Sequence, residues 1–202
     1  VKKLRYKIIW YTHFINIVIQ FIMKFNDKTF LKEKNKILMF YPYISTKSLR
    51  NLNRTIKSRW VGQGPKVELF EKRFSKKYLN SKNALATGSG TDALHLSYVL
   101  SNVKKDDEVI VPIFTCTATN VPLLYMGAKI VFADINPETM NICTESVKKL
   151  ITKKTKAIVC VHYGGLPCDM EELKKISKKH NLILIEDVAQ AIGAKFKNKN
   201  VG

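Results

Sequence analysis

The sequence predicts an α/β fold with a mostly parallel sheet, and three observations lead to that prediction. From about residue 40, short apolar runs rich in valine and isoleucine alternate with segments whose apolar residues recur at helical spacing. The alternation of strand and helix is typical of β-α-β units. A glycine-rich turn joins one early apolar run to a helix. Because such sheets bind ligands at the carboxyl ends of their strands, the polar residues that follow the strands are the candidate site.

The elements follow from local patterns along the chain. Pro65 suits the first position of a helix. Val67, Phe70, Phe74 and Tyr78 then lie on one face of that helix, with lysines opposite. The remaining predicted elements are strands over residues 84–86, 108–111, 129–132, 157–161 and 182–185, a helix over about 91–100 and a helix over about 170–179.

The charge of the chain is unusual, but its distribution is not. The 202 residues carry a formal net charge of +19, with 46% hydrophobic and 25% charged residues. The hydrophobic and charged fractions are normal for a globular protein. The lysines are scattered among asparagine and isoleucine, with no arginine-rich run interleaved with aromatics for base stacking. We therefore expect a solvated basic surface and no nucleic-acid partner.

The four cysteines predict neither disulfides nor a metal centre. Cys116, Cys143, Cys160 and Cys168 are far apart and form no C-x-x-C pair or zinc-like spacing with histidine. Cys160 lies in an apolar run, where a buried inert thiol is expected. A reduced, cytoplasmic protein without a metal is the simplest interpretation.

Residues 1–40 differ in pattern from the rest of the chain. Basic flanks surround an apolar stretch at 8–23, which is shorter than the ~20 apolar residues of a membrane span. His13, Asn16 and Gln20 interrupt it, and no signal-peptide cleavage site follows. We expect an amphipathic surface helix or a poorly ordered extension rather than a membrane anchor. The start at valine and the end inside an apparent hairpin lead us to expect a piece of a longer protein.

The first motif is the glycine-rich turn before the helix at about 91–100. Gly88 and Gly90 allow a tight turn, and Thr91 or Asp92 could cap the helix that follows. The free amides and the dipole of such a helix start attract phosphate. A plain strand-to-helix turn is the alternative, since glycine-rich turns are weak motifs.

The second motif follows the last predicted strand. That strand delivers Glu186 and Asp187, and Gln190 three residues later, to the carboxyl edge of the sheet. Acids at such a place lose hydration unless they meet a cation or a metal. A protonated pyridine nitrogen is a cation that one carboxylate can satisfy. The alternative is a pair of loop acids, one of which caps a helix.

Two further segments follow strands and should reach the same edge. These are residues 111–120 and residues 161–170. His162, in the second segment, could contact a ligand or be a hydrogen-bonded structural histidine.

In their order, these segments resemble the DegT/DnrJ/EryC1/StrS family of fold-type I pyridoxal-phosphate (PLP) enzymes, which mostly aminate nucleotide-linked keto-sugars. The resemblance runs from about residue 41 to residue 202. It implies an incomplete, aspartate aminotransferase-like large domain over 41–202, a three-layer sandwich with a mostly parallel mixed sheet, after an extension at 1–40. The matching segments are 59–65 with 70–71, 88–96 (GSGTDALHL), 107–112 (DEVIVP), 134–139 (DINPET), 162–170 and 186–191 (EDVAQA).

The resemblance also implies roles for single residues. Asp187, the one catalytic residue within the chain, would pair with the pyridine nitrogen and keep the ring protonated, and Gln190 would lie near the ring hydroxyl. The ring-stacking aromatic of the family commonly falls where this chain has Cys116, and Phe114 could substitute for it. The other residues that the resemblance assigns to the cofactor are Ser89, Gly90 and Thr91 at its phosphate, together with His162.

The family's Schiff-base lysine would lie beyond residue 202, in a loop after the hairpin at 195–202. Lys195, Lys197 and Lys199 match the hairpin, so we expect them to face solvent. The 202 residues alone are therefore expected to be inactive. The intact protein is expected to transfer an amino group from a donor such as glutamate to a nucleotide-linked keto-sugar, in polysaccharide biosynthesis. The loop at 60–65 would help to line a site shared across a homodimer.

Two alternatives remain at this stage. A PLP-dependent sugar dehydratase of the same family would carry histidine in place of the lysine. A non-catalytic remnant, or a basic membrane-associated binding protein, would keep the fold without the chemistry.

Overall fold

A computed structural model describes residues 42–79 and 83–202 of the chain. The helix or extension expected for residues 1–40 lies outside the described residues. Within the two described ranges, no helix is both long enough and apolar enough to cross a membrane.

The chain divides into two units at Arg59/Trp60. In the first unit, the described residues form one helix, α1 (Thr46–Lys57). Its N-cap is Ser45, whose hydroxyl oxygen accepts a hydrogen bond from the Ser48 N–H at 3.1 Å. The second unit, Trp60–Gly202, holds the α/β fold.

The second unit alternates helices and strands as expected. The helices are α2 (Pro65–Phe74), α3 (Gly90–Leu100), α4 (Thr117–Tyr125), α5 (Thr144–Leu150) and α6 (Met170–His180). The strands are β1 (Glu108–Pro112), β2 (Lys129–Ala133), β3 (Thr155–Val161), β4 (Ile183–Asp187), β5 (Lys195–Phe196) and β6 (Lys199–Asn200).

The main sheet has the order β2-β1-β3-β4, and all three pairings are parallel. The chain moves from β1 outward to β2, crosses back to β3 and continues to β4. The direction of winding therefore reverses between β1 and β3, the place where open α/β sheets form a crevice at their carboxyl ends. Strands β5 and β6 form a separate antiparallel hairpin. The predicted parallel sheet and hairpin are confirmed.

Apolar side chains cover both faces of the main sheet. Side chains of a strand alternate between faces, so Ala157 and Val159 pack with α3 and α4, whereas Ile158 and Cys160 pack with α5 and α6. Each face thus has its own core, and helices cover both. The expected three-layer sandwich is confirmed, with a main sheet that is wholly parallel across the described residues.

Two local predictions were wrong. Residues 84–86 do not form a strand, because no described strand pairs with them; the Ala86 N–H is bonded by Glu71 Oε1 at 2.8 Å instead. The cap of α3 is Ser89, whose hydroxyl accepts the Asp92 N–H at 3.1 Å, and not Thr91 or Asp92. The helix that begins at Pro65 is confirmed: α2 ends at Phe74 and continues as a π-turn, Ser75–Leu79, and the ring of Phe74 packs against those of Phe70 and Tyr78.

Candidate cofactor-binding site

A cavity of about 220 Å³ lies at the carboxyl ends of β1, β3 and β4. It is therefore next to the point where the winding of the sheet reverses. Three of its walls come from segments that each follow a different strand. The lining residues are Phe114, Thr115, Cys116, Val161, Tyr163, Asp187, Ala189 and Gln190.

Asp187, at the end of β4, is the acid of this cavity. Its side chain is half-buried, and both carboxylate oxygens are tethered. Oδ2 accepts a hydrogen bond from the Thr119 hydroxyl at 3.0 Å, and Oδ1 accepts one from the Ala189 N–H at 3.1 Å. Each carboxylate oxygen has two lone pairs, so both retain capacity for a ligand.

A buried tyrosine supports the helix that carries Thr119. The Tyr98 hydroxyl donates to the Thr119 carbonyl at 2.7 Å, which joins α3 to α4. Burial, and then the negative charge of Asp187, raise the pKa of Tyr98 well above its usual value. The phenol therefore keeps its proton and remains a hydrogen-bond donor.

Aromatic and glycine residues shape the mouth of the cavity. The rings of Phe114 and Tyr163 lie 5.0 Å apart at 59°, and Phe114 is 41% exposed. Gly164 and Gly165 have positive φ angles of 60° and 87°, a region that glycine adopts without strain. The resulting turn directs the Gly164 N–H to Gln190 Oε1 at 2.7 Å. Gln190 is thereby held at the cavity wall.

The start of α3 has the properties expected of an anion-binding turn. Among the described residues, none accepts a hydrogen bond from the N–H groups of Gly90 and Thr91. A Cβ atom at Gly88 would lie 2.9 Å from Asp92 Oδ2, whereas a Cβ at Gly90 would meet open space. The turn does not line the cavity. Helix α3, which begins at this turn, is joined to α4 by the hydrogen bond from Tyr98 to Thr119, and Thr119 in turn contacts Asp187 in the cavity.

His162 lies away from the cavity, in the core on the other face of the sheet. It is fully buried, its Nδ1 accepts the Cys168 N–H at 3.0 Å, and its Nε2 lies 3.1 Å from Glu186 Oε2. Because Nδ1 holds a lone pair, the ring proton lies on Nε2 and is donated to Glu186. Burial raises the pKa of Glu186, but hydrogen bonds from His162 and from the Gly202 N–H outweigh it and lower the pKa below its usual value.

Sequence reasoning missed one cluster. Potential ligand atoms of Cys160, His162 and Cys168 lie within 4.8 Å of one another, and all three residues are buried. The signal was present: residue 160 lies in β3, residue 162 follows two positions later just beyond its end, and the turn after β3 brings residue 168 back. Each thiol has a protein partner, since the Cys168 thiol lies 3.2 Å from the Val161 carbonyl and the Cys160 thiol 3.9 Å from Met170 Sδ.

A model of the DegT/DnrJ/EryC1/StrS aminotransferase family matches residues 42–202. The chain belongs to this family. The resemblance inferred from the six sequence segments is thus confirmed.

Individual members of the DegT/DnrJ/EryC1/StrS family support the assignment. GDP-perosamine synthase of Escherichia coli O157:H7 is 37% identical over 167 residues, which are 82% of this chain and 46% of the synthase. The structure of the aminotransferase from Psychrobacter cryohalolentis is 38% identical with a TM-score of 0.76, over 82% of this chain and 42% of that one. The chain spans less than half the length of these relatives.

A third relative bears on the cofactor. The E. coli GDP-4-keto-6-deoxy-D-mannose-3-dehydratase, solved with bound hydrated PLP, is 31% identical with a TM-score of 0.77, over 83% of this chain and 44% of that one. Pyridoxal phosphate is therefore supported as the cofactor of this family.

Proposed function

We propose that the intact protein transfers an amino group from a donor such as glutamate to a nucleotide-linked keto-sugar, with PLP as cofactor, in amino-sugar or surface polysaccharide biosynthesis. The proposal includes a homodimer and a cytoplasmic setting, and it assigns residues 41–202 to the N-terminal part of the large domain and 1–40 to an extension. All four cysteines are free, in keeping with a reducing compartment.

One observation carries the proposal. Asp187 is a half-buried acid in a cavity, and no basic side chain among the described residues forms an ion pair with it. Its two tethering bonds come from neutral donors, the Thr119 hydroxyl and the Ala189 N–H. A cationic ring nitrogen would complete its pairing.

The start of α3 and the other residues of the cavity would take the rest of such a cofactor. The free amides of Gly90 and Thr91, with the Ser89 cap, would hold its phosphate. Phe114 would pack on the ring where Cys116 offers no aromatic face, and Gln190 would lie near the ring hydroxyl. When bound, PLP supplies an electron sink for a substrate carbanion. His162 has partners on both nitrogens, so we assign it the indirect role of holding the ends of β3 and β4.

A sugar dehydratase of the same family is the second candidate. The observation that supports it is the 31% identity to the PLP-bound dehydratase, against 37% to the synthase and 38% to the Psychrobacter aminotransferase. Both candidates use the same ring-binding residues. They differ at the position of the family's Schiff-base lysine, where a dehydratase would carry histidine.

The test is binding of a cofactor analogue to the 202-residue chain. With 35 lysines and arginines, the aldehyde of PLP would modify the surface, so the ligand is 4′-deoxypyridoxine 5′-phosphate, which has no aldehyde. We expect the wild-type chain to bind it in equilibrium dialysis. Asp187→Asn should weaken binding by about tenfold or more, because the charge that pairs with the ring nitrogen is lost.

Asp106→Asn is the matched control. Asp106 is an exposed acid with a positive φ of 68°, which asparagine tolerates, and it precedes the amino end of β1, whereas the cavity lies beyond the carboxyl end of that strand. Its replacement should leave affinity unchanged. Equal affinity of the wild-type and Asp187→Asn chains would refute the assignment of the cavity.

A further inference from the structure

Thr119 is a fully buried hydroxyl residue whose side-chain hydrogen bonds both lead to residues that line the cavity, Thr115 and Asp187. It lies in the first turns of α4, whereas its acceptor Asp187 lies 68 residues later at the end of β4. The Thr119 hydroxyl donates to Asp187 Oδ2 at 3.0 Å, which is an ordinary hydrogen-bond distance. The contact therefore fixes the orientation of the carboxyl group, not only its position.

The direction of the bonds around Thr119 can be worked out from its single proton. The hydroxyls of Thr115 and Thr119 are 2.9 Å apart, and either could donate. An ionised Asp187 only accepts, so Thr119 must use its proton there, and Thr115 must donate to Thr119. The hydrogen bonds then run from Thr115 through Thr119 to Asp187, and successive hydrogen bonds strengthen one another.

The backbone of Thr119 is held as well. The Tyr98 hydroxyl donates to the Thr119 carbonyl at 2.7 Å from the neighbouring helix. Thr119 can therefore move its hydroxyl only by rotating its side chain, which is β-branched and stiff at χ1.

We propose that Thr119 is a positioning residue that holds the Asp187 carboxylate in one orientation towards the ring nitrogen of the bound cofactor. This inference rests on the proposed function. It assigns Thr119 no contact with the cofactor, since Thr119 is not among the residues that line the cavity.

The test compares two ligands that differ at one ring atom. One is 4′-deoxypyridoxine 5′-phosphate, and the other is its 1-deaza analogue, in which C–H replaces the ring nitrogen. Thr119→Val removes the hydroxyl and keeps the shape, and Thr119→Ser keeps the hydroxyl. We expect Thr119→Val to weaken binding of the pyridine ligand by about tenfold, to change binding of the deaza ligand less than about twofold, and Thr119→Ser to match the wild type.

Thr115→Val is a second variant, in case Thr119→Val does not fold. Loss of the Thr115 donor leaves the Thr119 hydroxyl in place but removes the bond that polarises it. We expect a smaller loss of affinity, again confined to the pyridine ligand.

The outcomes separate this inference from the proposed function. If the wild-type chain binds both ligands equally, Asp187 does not recognise a ring nitrogen and the proposed function fails. If the wild type prefers the pyridine ligand and Thr119→Val keeps the full preference, only the role of Thr119 fails. An equal loss for both ligands would make Thr119 a general packing residue and would also overturn the inference.

Discussion

Glu186 and Asp187 are neighbours in sequence with opposite surroundings. Successive side chains of a strand point to opposite faces of the sheet. Glu186 meets His162 and the Gly202 N–H, and Asp187 meets Thr119 and Ala189. One acid therefore belongs to the core beneath the hairpin, and the other to the cavity.

The lowered pKa of Glu186 predicts an acid-dependent loss of stability. The pKa of a glutamate side chain in an unfolded chain is about 4.3. Since the folded-state pKa lies lower, the carboxylate stabilises the fold above that pH, and this contribution disappears as the pH falls through the folded-state pKa. Glu186→Gln should lower the free energy of unfolding at pH 7 by about 1–2 kcal/mol and flatten its decline between about pH 5 and 3. Urea unfolding across this range measures both effects.

The control for Glu186 is Glu138→Gln, at an exposed acid. This variant should retain the pH dependence of the wild type. Parallel stability curves for Glu186→Gln and the wild type would show that the contact with His162 does not stabilise the ionised acid.

At the scale of elements, the start of α3 is set by its cap. Ser89 has an extended backbone and bonds the Asp92 N–H, which satisfies one of the amides that a helix leaves free at its start. Gly90 and Thr91 keep their amides available for an anion. The cap and the proposed phosphate site are therefore different parts of the same turn.

Removal of this cap has a predictable cost. Ser89→Ala should lower the free energy of unfolding by about 1 kcal/mol, because the Asp92 N–H loses its acceptor. Ser97→Ala on the same helix is the matched control: its hydroxyl only donates to the Ala93 carbonyl one turn earlier, and its loss should change stability by less than about 0.5 kcal/mol. Denaturant unfolding compares the two. Similar losses would show that Ser89 is not an effective cap.

At the scale of the whole molecule, two separate cores hold helices to the two faces of one sheet. Strand β3 is central and contributes to both cores, with all but one of its residues buried. Its neighbours β1 and β4 bring Phe114 and Asp187 to the same crevice. The cavity thus depends on the packing of the complete sheet.

A core substitution tests this dependence. Leu173, on α6, is fully buried, and Leu173→Ala should lower the free energy of unfolding by about 2–5 kcal/mol. Leu100→Ala removes the same atoms from a side chain that is 77% exposed, and should cost less than about 1 kcal/mol. Calorimetry or urea unfolding would measure both variants, and equal losses would contradict the assignment of Leu173 to the core.

The sequence by itself determined the order of the strands along the chain, the parallel sheet and the ends of β1 to β4 to within two residues. Long apolar runs carry that information locally, because burial on both sides of a sheet requires valine and isoleucine at nearly every position. The family and the place of Asp187 at the carboxyl edge of the sheet were also readable, since compact segments such as 186–191 carry both.

Only the tertiary structure decided the rest. Helix α4 has three β-branched residues and Pro122 in nine positions, so its sequence disfavours a helix, and its burial of Thr119, Pro122 and Leu123 stabilises it. Residues 84–86 are strand-like but have no described partner, and a strand exists only through its ladder. The bond from Thr119 to Asp187 joins residues 68 apart. Local patterns record propensity and burial, whereas such contacts arise only when the sheet has assembled.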